Sequence, residues 1–207
     1  MVTKWNKKWD AEGFTENPNF MERKGEANLS SRKWIVDFIE DNAVSKVVEC
    51  GLATGIDLQT IVWAGLRLDK YVGLDITNGF KRHFRVHPPW FSFRLLVDPY
   101  RWPVRVDEFE LAYSRHVIEH QPSPFEMLAQ MARASSRWVA IMFFRPPTKE
   151  AFHKIQRLND GFYFNDLSAA LLEKEASEVG LELVERKITI SATKEAKENE
   201  LWLWKKK

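Results

Sequence analysis

Residues 46–75 read KVVECGLATGIDLQTIVWAGLRLDKYVGLD, and this stretch decides the fold. Lys46 to Cys50 is a short apolar run that enters a glycine turn, which predicts a buried strand. The small residues of Gly51-Leu52-Ala53-Thr54-Gly55 let the backbone bend sharply and come close to a ligand. Over 56–66, Leu58, Ile61, Val62 and Leu66 fall on one face at helical spacing. The start of that helix presents free N–H groups and a partial positive charge, which suits a carboxylate or a phosphate. Residues 70–75 form a second apolar run, and it ends on Asp75. An acid at that point can accept two hydrogen bonds from ribose hydroxyls, as in a nucleotide-type cofactor. At this stage a nicotinamide enzyme remains open.

The same alternation continues outward. Upstream, residues 29–42 read as a helix, with Trp34, Ile35, Phe38 and Ile39 at helical spacing. Downstream, apolar runs at 92–97, 109–113 and 138–144 read as strands, and 125–134 reads as a helix. A strong helix covers 164–179, with Gly180 where a C-terminal cap belongs. Two late strands, 181–190 and 200–204, are joined by a charged loop, which suits an antiparallel pair near one edge. The expected fold is α/β: a doubly wound, Rossmann-like, mostly parallel seven-stranded sheet with helices on both faces and a C-terminal antiparallel strand. Ligands of such sheets bind outside the carboxyl ends of the strands, at the point where the order reverses. The polar residues 1–28, with Trp5, Trp9, Phe14 and Phe20, are expected to form an N-terminal arm or lid on one domain spanning 29–207.

Composition excludes several classes. Hydrophobic residues are 44% and charged residues 29% of the 207, which is a soluble composition and not a disordered one. The single cysteine, Cys50, excludes an intramolecular disulfide and a multi-thiolate metal site, and it reads as a core residue. The longest apolar run, 138–144, is far short of the roughly 20 residues of a membrane span. No apolar h-region follows Met1, so a cytoplasmic protein is expected. The net charge of +2 provides no global basic field for nucleic acid. Locally, Lys81, Arg82, Arg85, Arg94, Arg101 and Arg105 face one acid, Asp98, which suits an anionic partner.

Residues 95–144 read LLVDPYRWPVRVDEFELAYSRHVIEHQPSPFEMLAQMARASSRWVAIMFF. With the turn at 51–55 and Asp75, the ordered set Asp98, Trp102-Pro103, Phe109-Glu110-Leu111-Ala112, Ser114 to His120 and Met131-Ala132-Arg133 resembles the class I S-adenosylmethionine-dependent methyltransferases, in their broad type-11-like group. The resemblance extends over 29–204 and favours S-adenosyl-L-methionine over a nicotinamide. It implies that Gly51, Leu52, Ala53 and Gly55 wrap the methionine part of that cofactor, and that Glu49 holds the turn or its bound water. It further implies that Asp75 takes the ribose hydroxyls with Ile76 against the adenine. Asp98 would receive the adenine amino group beside Pro99, and Ser114 and Arg115 would lie near the sulfonium. Ala53 stands where the family usually has glycine, and Glu49 where it usually has aspartate.

The run His116-Val117-Ile118-Glu119-His120 also matches an H-x-x-E-H zinc signature. Pro122 follows almost at once, and no third ligand is evident, so no metal is expected. In the methyltransferase reading His116 faces the acceptor and is the candidate general base. The expected activity is methyl transfer to an acceptor that is a small molecule, a glycan or RNA. The alternative is a non-catalytic cofactor-binding scaffold, motivated by Ala53 and by the short segment after Asp75.

Overall fold

A computed structural model describes residues 29–159, 163–189 and 199–207. The arm expected over 1–28 lies outside them, as does the loop between the two last strands. Helix α1 (Leu29–Asp41) turns Ile35 and Ile39 inward, with Trp34 and Phe38 stacked beside them. Strand β1 (Lys46–Cys50) follows, and its side chains alternate between the two sheet faces. Val47 joins the core under α1 and helix α2 (Ile56–Trp63), while Val48 and Cys50 join the opposite one. Strand β2 (Lys70–Asp75) leads to a single 3-10 turn (Gly79–His83) and the half-exposed strand β3 (Phe91–Leu95). Strand β4 (Phe109–Arg115), a second 3-10 turn (Ile118–His120), helix α3 (Pro124–Ala134) and strand β5 (Ser135–Phe143) come next. Helix α4 (Ala169–Glu178) and strands β6 (Leu181–Thr189) and β7 (Asn199–Lys206) complete the order.

The seven strands form one sheet in the order β3-β2-β1-β4-β5-β7-β6. Strands β1 to β5 pair in parallel, and β7 runs antiparallel between β5 and β6. Helices α1 and α2 cover one face, over Tyr71, Leu111, Tyr113 and Met142. Helices α3 and α4 cover the other, over Val72, Ala112, Ile141 and Trp202. The order reverses between β1 and β4, where Cys50 lies opposite both Leu74 and Ser114. The carboxyl ends of β2, β1 and β4 are therefore level.

Two helix boundaries differ from the expected ones for local reasons. The helix expected over 56–66 ends at Trp63, ahead of Gly65, whose φ of 80° is left-handed. The helix expected over 164–179 starts only at Ala169, capped by the Ser168 hydroxyl, which accepts from Leu171 N–H at 3.2 Å. The residues before it pair with other backbone instead, through bridges from Thr148 to Ser168 and from Lys154 to Asp166. Between Asp75 and β3 the chain forms only the short 3-10 turn, as its length suggested.

Candidate functional site

The carboxyl edge is built first by backbone. Gly51 and Leu52 both donate their N–H groups to Leu74 O, at 2.8 and 3.1 Å, so the turn after β1 is tied to the end of β2. Gly51 has φ 83°, and a Cβ there would collide with Val117 Cγ2, which leaves room for glycine alone. Gly55 (φ 72°) starts α2, and Ala53 takes a left-handed φ of 47° that non-glycine residues seldom adopt. Ala53 N–H then donates to Asp75 Oδ2 at 2.9 Å, and Thr77 N–H donates to Asp75 Oδ1 at 3.2 Å. Thus the turn and the acid that closes β2 form one hydrogen-bonded unit. Ile76 packs beside it against the core under α3.

The third strand end is linked to this unit through Leu96 N–H, which donates to Asp75 O at 2.7 Å. Beyond it Asp98 is half-exposed and accepts Tyr100 N–H at 2.9 Å, while Pro99 O accepts Trp102 Nε1–H at 3.0 Å. At the end of β4, Ser114 is fully buried and its hydroxyl donates to Cys50 O at 3.1 Å, clamping β4 to β1. The Arg115 guanidinium is aimed back under α2, where Nε donates to Asp57 Oδ2 at 2.9 Å.

Asp57 carries no role in the sequence reading. It sits in the first turn of α2, buried, and also accepts Arg32 Nη1–H at 2.8 Å on Oδ1. Burial raises its pKa, but Arg115 and Arg32 outweigh burial and hold the carboxyl below its ordinary value. Glu49, on the same side of the sheet, accepts the Tyr71 hydroxyl proton at 2.5 Å. Burial and then the charge of Asp57 push the Glu49 carboxyl well above the ordinary range. The signal for Asp57 in the sequence is slight: an acid in a predicted first turn, where the helix dipole favours it.

The turn after β4 holds the HVIEH run. His116 has φ 56° and donates its backbone N–H to Met142 O at 2.8 Å. Its Nε2 is buried without a hydrogen-bond partner, and its ring meets Phe144 edge-on at 5.6 Å. Burial, reinforced by Arg115, lowers its pKa to about 3. Glu119 is fully buried; Oε1 accepts Phe144 N–H at 2.8 Å, and Oε2 has no partner. Burial raises this carboxyl to about 7. His120 is held elsewhere, its Nδ1–H donating to Tyr163 O at 2.8 Å and its ring stacked on Phe144. Among the described residues no group of three His, Cys, Asp or Glu is gathered as a metal ion would require. Thr54, inside the turn after β1, is a further residue without a role in the sequence reading: its hydroxyl is buried and has no partner.

No family model matches the chain, and no curated protein matches it by sequence. Solved structures match by fold. The magnesium protoporphyrin IX methyltransferase of Synechocystis PCC 6803, solved with bound SAH, superposes with a TM-score of 0.73 at 11% identity, over 98% of each chain. The 1,6-didemethyltoxoflavin-N1-methyltransferase of Burkholderia thailandensis, solved with bound 1,6-didemethyltoxoflavin and S-adenosylhomocysteine, gives 0.69 at 11% identity over 98% of this chain and 87% of its own. An S-adenosylmethionine-dependent methyltransferase of Mesorhizobium loti gives 0.60 at 10% identity over 78% and 90%. The chain has the class I methyltransferase fold.

Proposed function

We propose that this chain is an S-adenosylmethionine-dependent methyltransferase. The observation that carries the reading is the unit formed by the turn at 51–55 and Asp75, joined by the Ala53 N–H to carboxylate bond at the point where the strand order reverses. Among the buried polar atoms at this edge that lack partners are the Thr54 hydroxyl and His116 Nε2. An unsatisfied buried polar group costs about 1–3 kcal/mol, so a polar ligand that pairs with them is favoured. The residues present therefore fit a cofactor rich in hydroxyl, amino and carboxylate groups. In this reading Gly51, Leu52, Ala53 and Gly55 hold its amino-acid part, Asp75 and Ile76 its ribose and adenine, and Asp98 and Pro99 the adenine edge. Ser114 and Glu49 act one step back, by clamping β4 to β1 and by fixing Tyr71.

When bound, S-adenosylmethionine supplies an electrophilic methyl group. The task left to the protein is to orient an acceptor and exclude water. His116 contributes as a neutral ring, since a pKa lowered to about 3 leaves it without the second proton, and so uncharged, at neutral pH. The exposed Lys81, Arg82 and Arg85 just beyond β2 favour an anionic acceptor.

Calorimetry of S-adenosylhomocysteine on the wild type and on Asp75→Ala tests the reading. A lost charge-assisted hydrogen bond predicts about ten- to a hundredfold weaker binding. A loss below about threefold, or no binding to the wild type, would overturn it.

A further inference from the structure

Between β5 and α4 the chain forms a ribbon on the outside of the carboxyl edge. Lys154 pairs antiparallel with Asp166, and Arg157 with Tyr163. Its inner side is firmly held. Asn165 is fully buried; its N–H donates to Glu119 O at 2.9 Å and its Nδ2–H to Gln121 O at 2.6 Å. Asn165 Oδ1 accepts Gln156 N–H at 3.1 Å, and Arg145 pairs with Asp166 at 2.8 Å while covering the Phe164 ring. His153 also turns inward, its Nδ1 accepting Ser168 N–H at 2.9 Å and its Nε2 meeting Glu175 at 3.1 Å.

The ribbon also carries side chains of the opposite character. Phe152 is 78% exposed, Ile155 42% and Leu158 46%. The other large apolar side chains exposed among the described residues occur singly or in pairs along the chain. Lys154 and Arg157 lie between these three and Lys149 just ahead of them, all exposed, against one exposed acid, Glu150. Lys81, Arg82, Arg85 and Arg101, in the loops after β2 and β3, are exposed at the same edge of the sheet. A well-anchored ribbon that holds apolar side chains in water has a surface to cover them. Cations alternating with apolar groups match the boundary of an anionic bilayer, where apolar groups enter the acyl region and Lys and Arg meet the headgroups. A nucleic acid would use the cations and could stack a base on Phe152, but it would leave the aliphatic Ile155 and Leu158 in water.

We propose that residues 149–158 dock the carboxyl edge of this protein on an anionic lipid surface. The docking proposed is peripheral, through side chains of this ribbon alone. It does not depend on the proposed activity.

Flotation of the full chain with vesicles tests it. Phosphatidylcholine vesicles with about one third phosphatidylserine should carry the protein at low salt, and pure phosphatidylcholine vesicles should not. Raising the salt to about 0.5 M should weaken the binding, because only the cationic part is screened. The triple variant Phe152→Ala, Ile155→Ala, Leu158→Ala should bind at least about tenfold more weakly, from lost apolar burial. The reversal Lys149→Glu, Lys154→Glu, Arg157→Glu should do the same, both variants keeping the wild-type melting temperature. No flotation of the wild type, or equal flotation of wild type and both variants, would overturn the proposal. Tight binding of a single-stranded RNA oligomer without vesicle binding would equally overturn it in favour of a nucleic-acid face.

Discussion

Glu119 and His116 stand three residues apart after β4, and burial perturbs them in opposite senses. The Glu119 carboxyl rises to about 7 and the His116 ring falls to about 3. From about pH 4.5 to pH 7 the folded chain keeps a proton on Glu119 that the unfolded chain releases, so this residue's contribution to stability declines as pH rises. His116 acts the other way: from about pH 3 to 6.5 the unfolded chain binds a proton that the folded chain refuses, so its contribution is lost as pH falls. Glu119→Gln should therefore gain stability relative to wild type as pH rises from about 4.5 to 7, by up to about 3 kcal/mol. Urea titrations of both proteins across that range measure it, and parallel pH profiles would show that Glu119 does not hold the proton. The run HVIEH suggested chemistry from sequence, but its residue types did not reveal which side chain would be perturbed and which way. Burial sets those shifts, and burial depends on β5 and the ribbon that pack over the turn.

Helix α2 is more than a cover for the sheet. Its first turn brings Asp57 between Arg32 of α1 and Arg115 of β4, so one carboxylate joins three elements in a buried site. Removing one member of such a group leaves buried charge behind and typically costs about 3–5 kcal/mol. Asp57→Ala should lose that much in urea unfolding, whereas breaking the exposed Lys33–Asp37 pair by Lys33→Ala should shift stability by no more than about 0.5 kcal/mol. Equal effects of the two substitutions would contradict the buried network. The network also shows how the turn at 51–55 is supported from below, since α2 starts at its last glycine.

The sheet as a whole is closed by its last strand. Strand β7 lies between β5 and β6, with Leu201, Trp202 and Trp204 buried and Glu200 accepting both Arg186 Nε–H and Trp202 Nε1–H at 2.9 Å. A chain ending before Asn199 would leave β5 and β6 without the neighbour that joins them and would open the core under α3 and α4. It should lose cooperative thermal unfolding, followed by circular dichroism, even though the turn at 51–55 and Asp75 are intact. A cooperative transition near the wild-type temperature would show that the edge pair is dispensable.

The alternation of apolar runs and helical spacings, with the glycine turn and Asp75, was enough to determine the α/β class, the parallel sheet and the edge on which a site would lie. These follow from local rules: the pleat fixes which side chains face the core, and a tight turn needs residues that tolerate a left-handed backbone. The contacts that animate the site were beyond the sequence. Asp57 meets Arg115 across 58 residues and Asn165 ties the ribbon to Gln121 across 44, while the Thr54 hydroxyl and His116 Nε2 are left unpaired. Each depends on which distant elements pack together, and so only the tertiary structure could decide it.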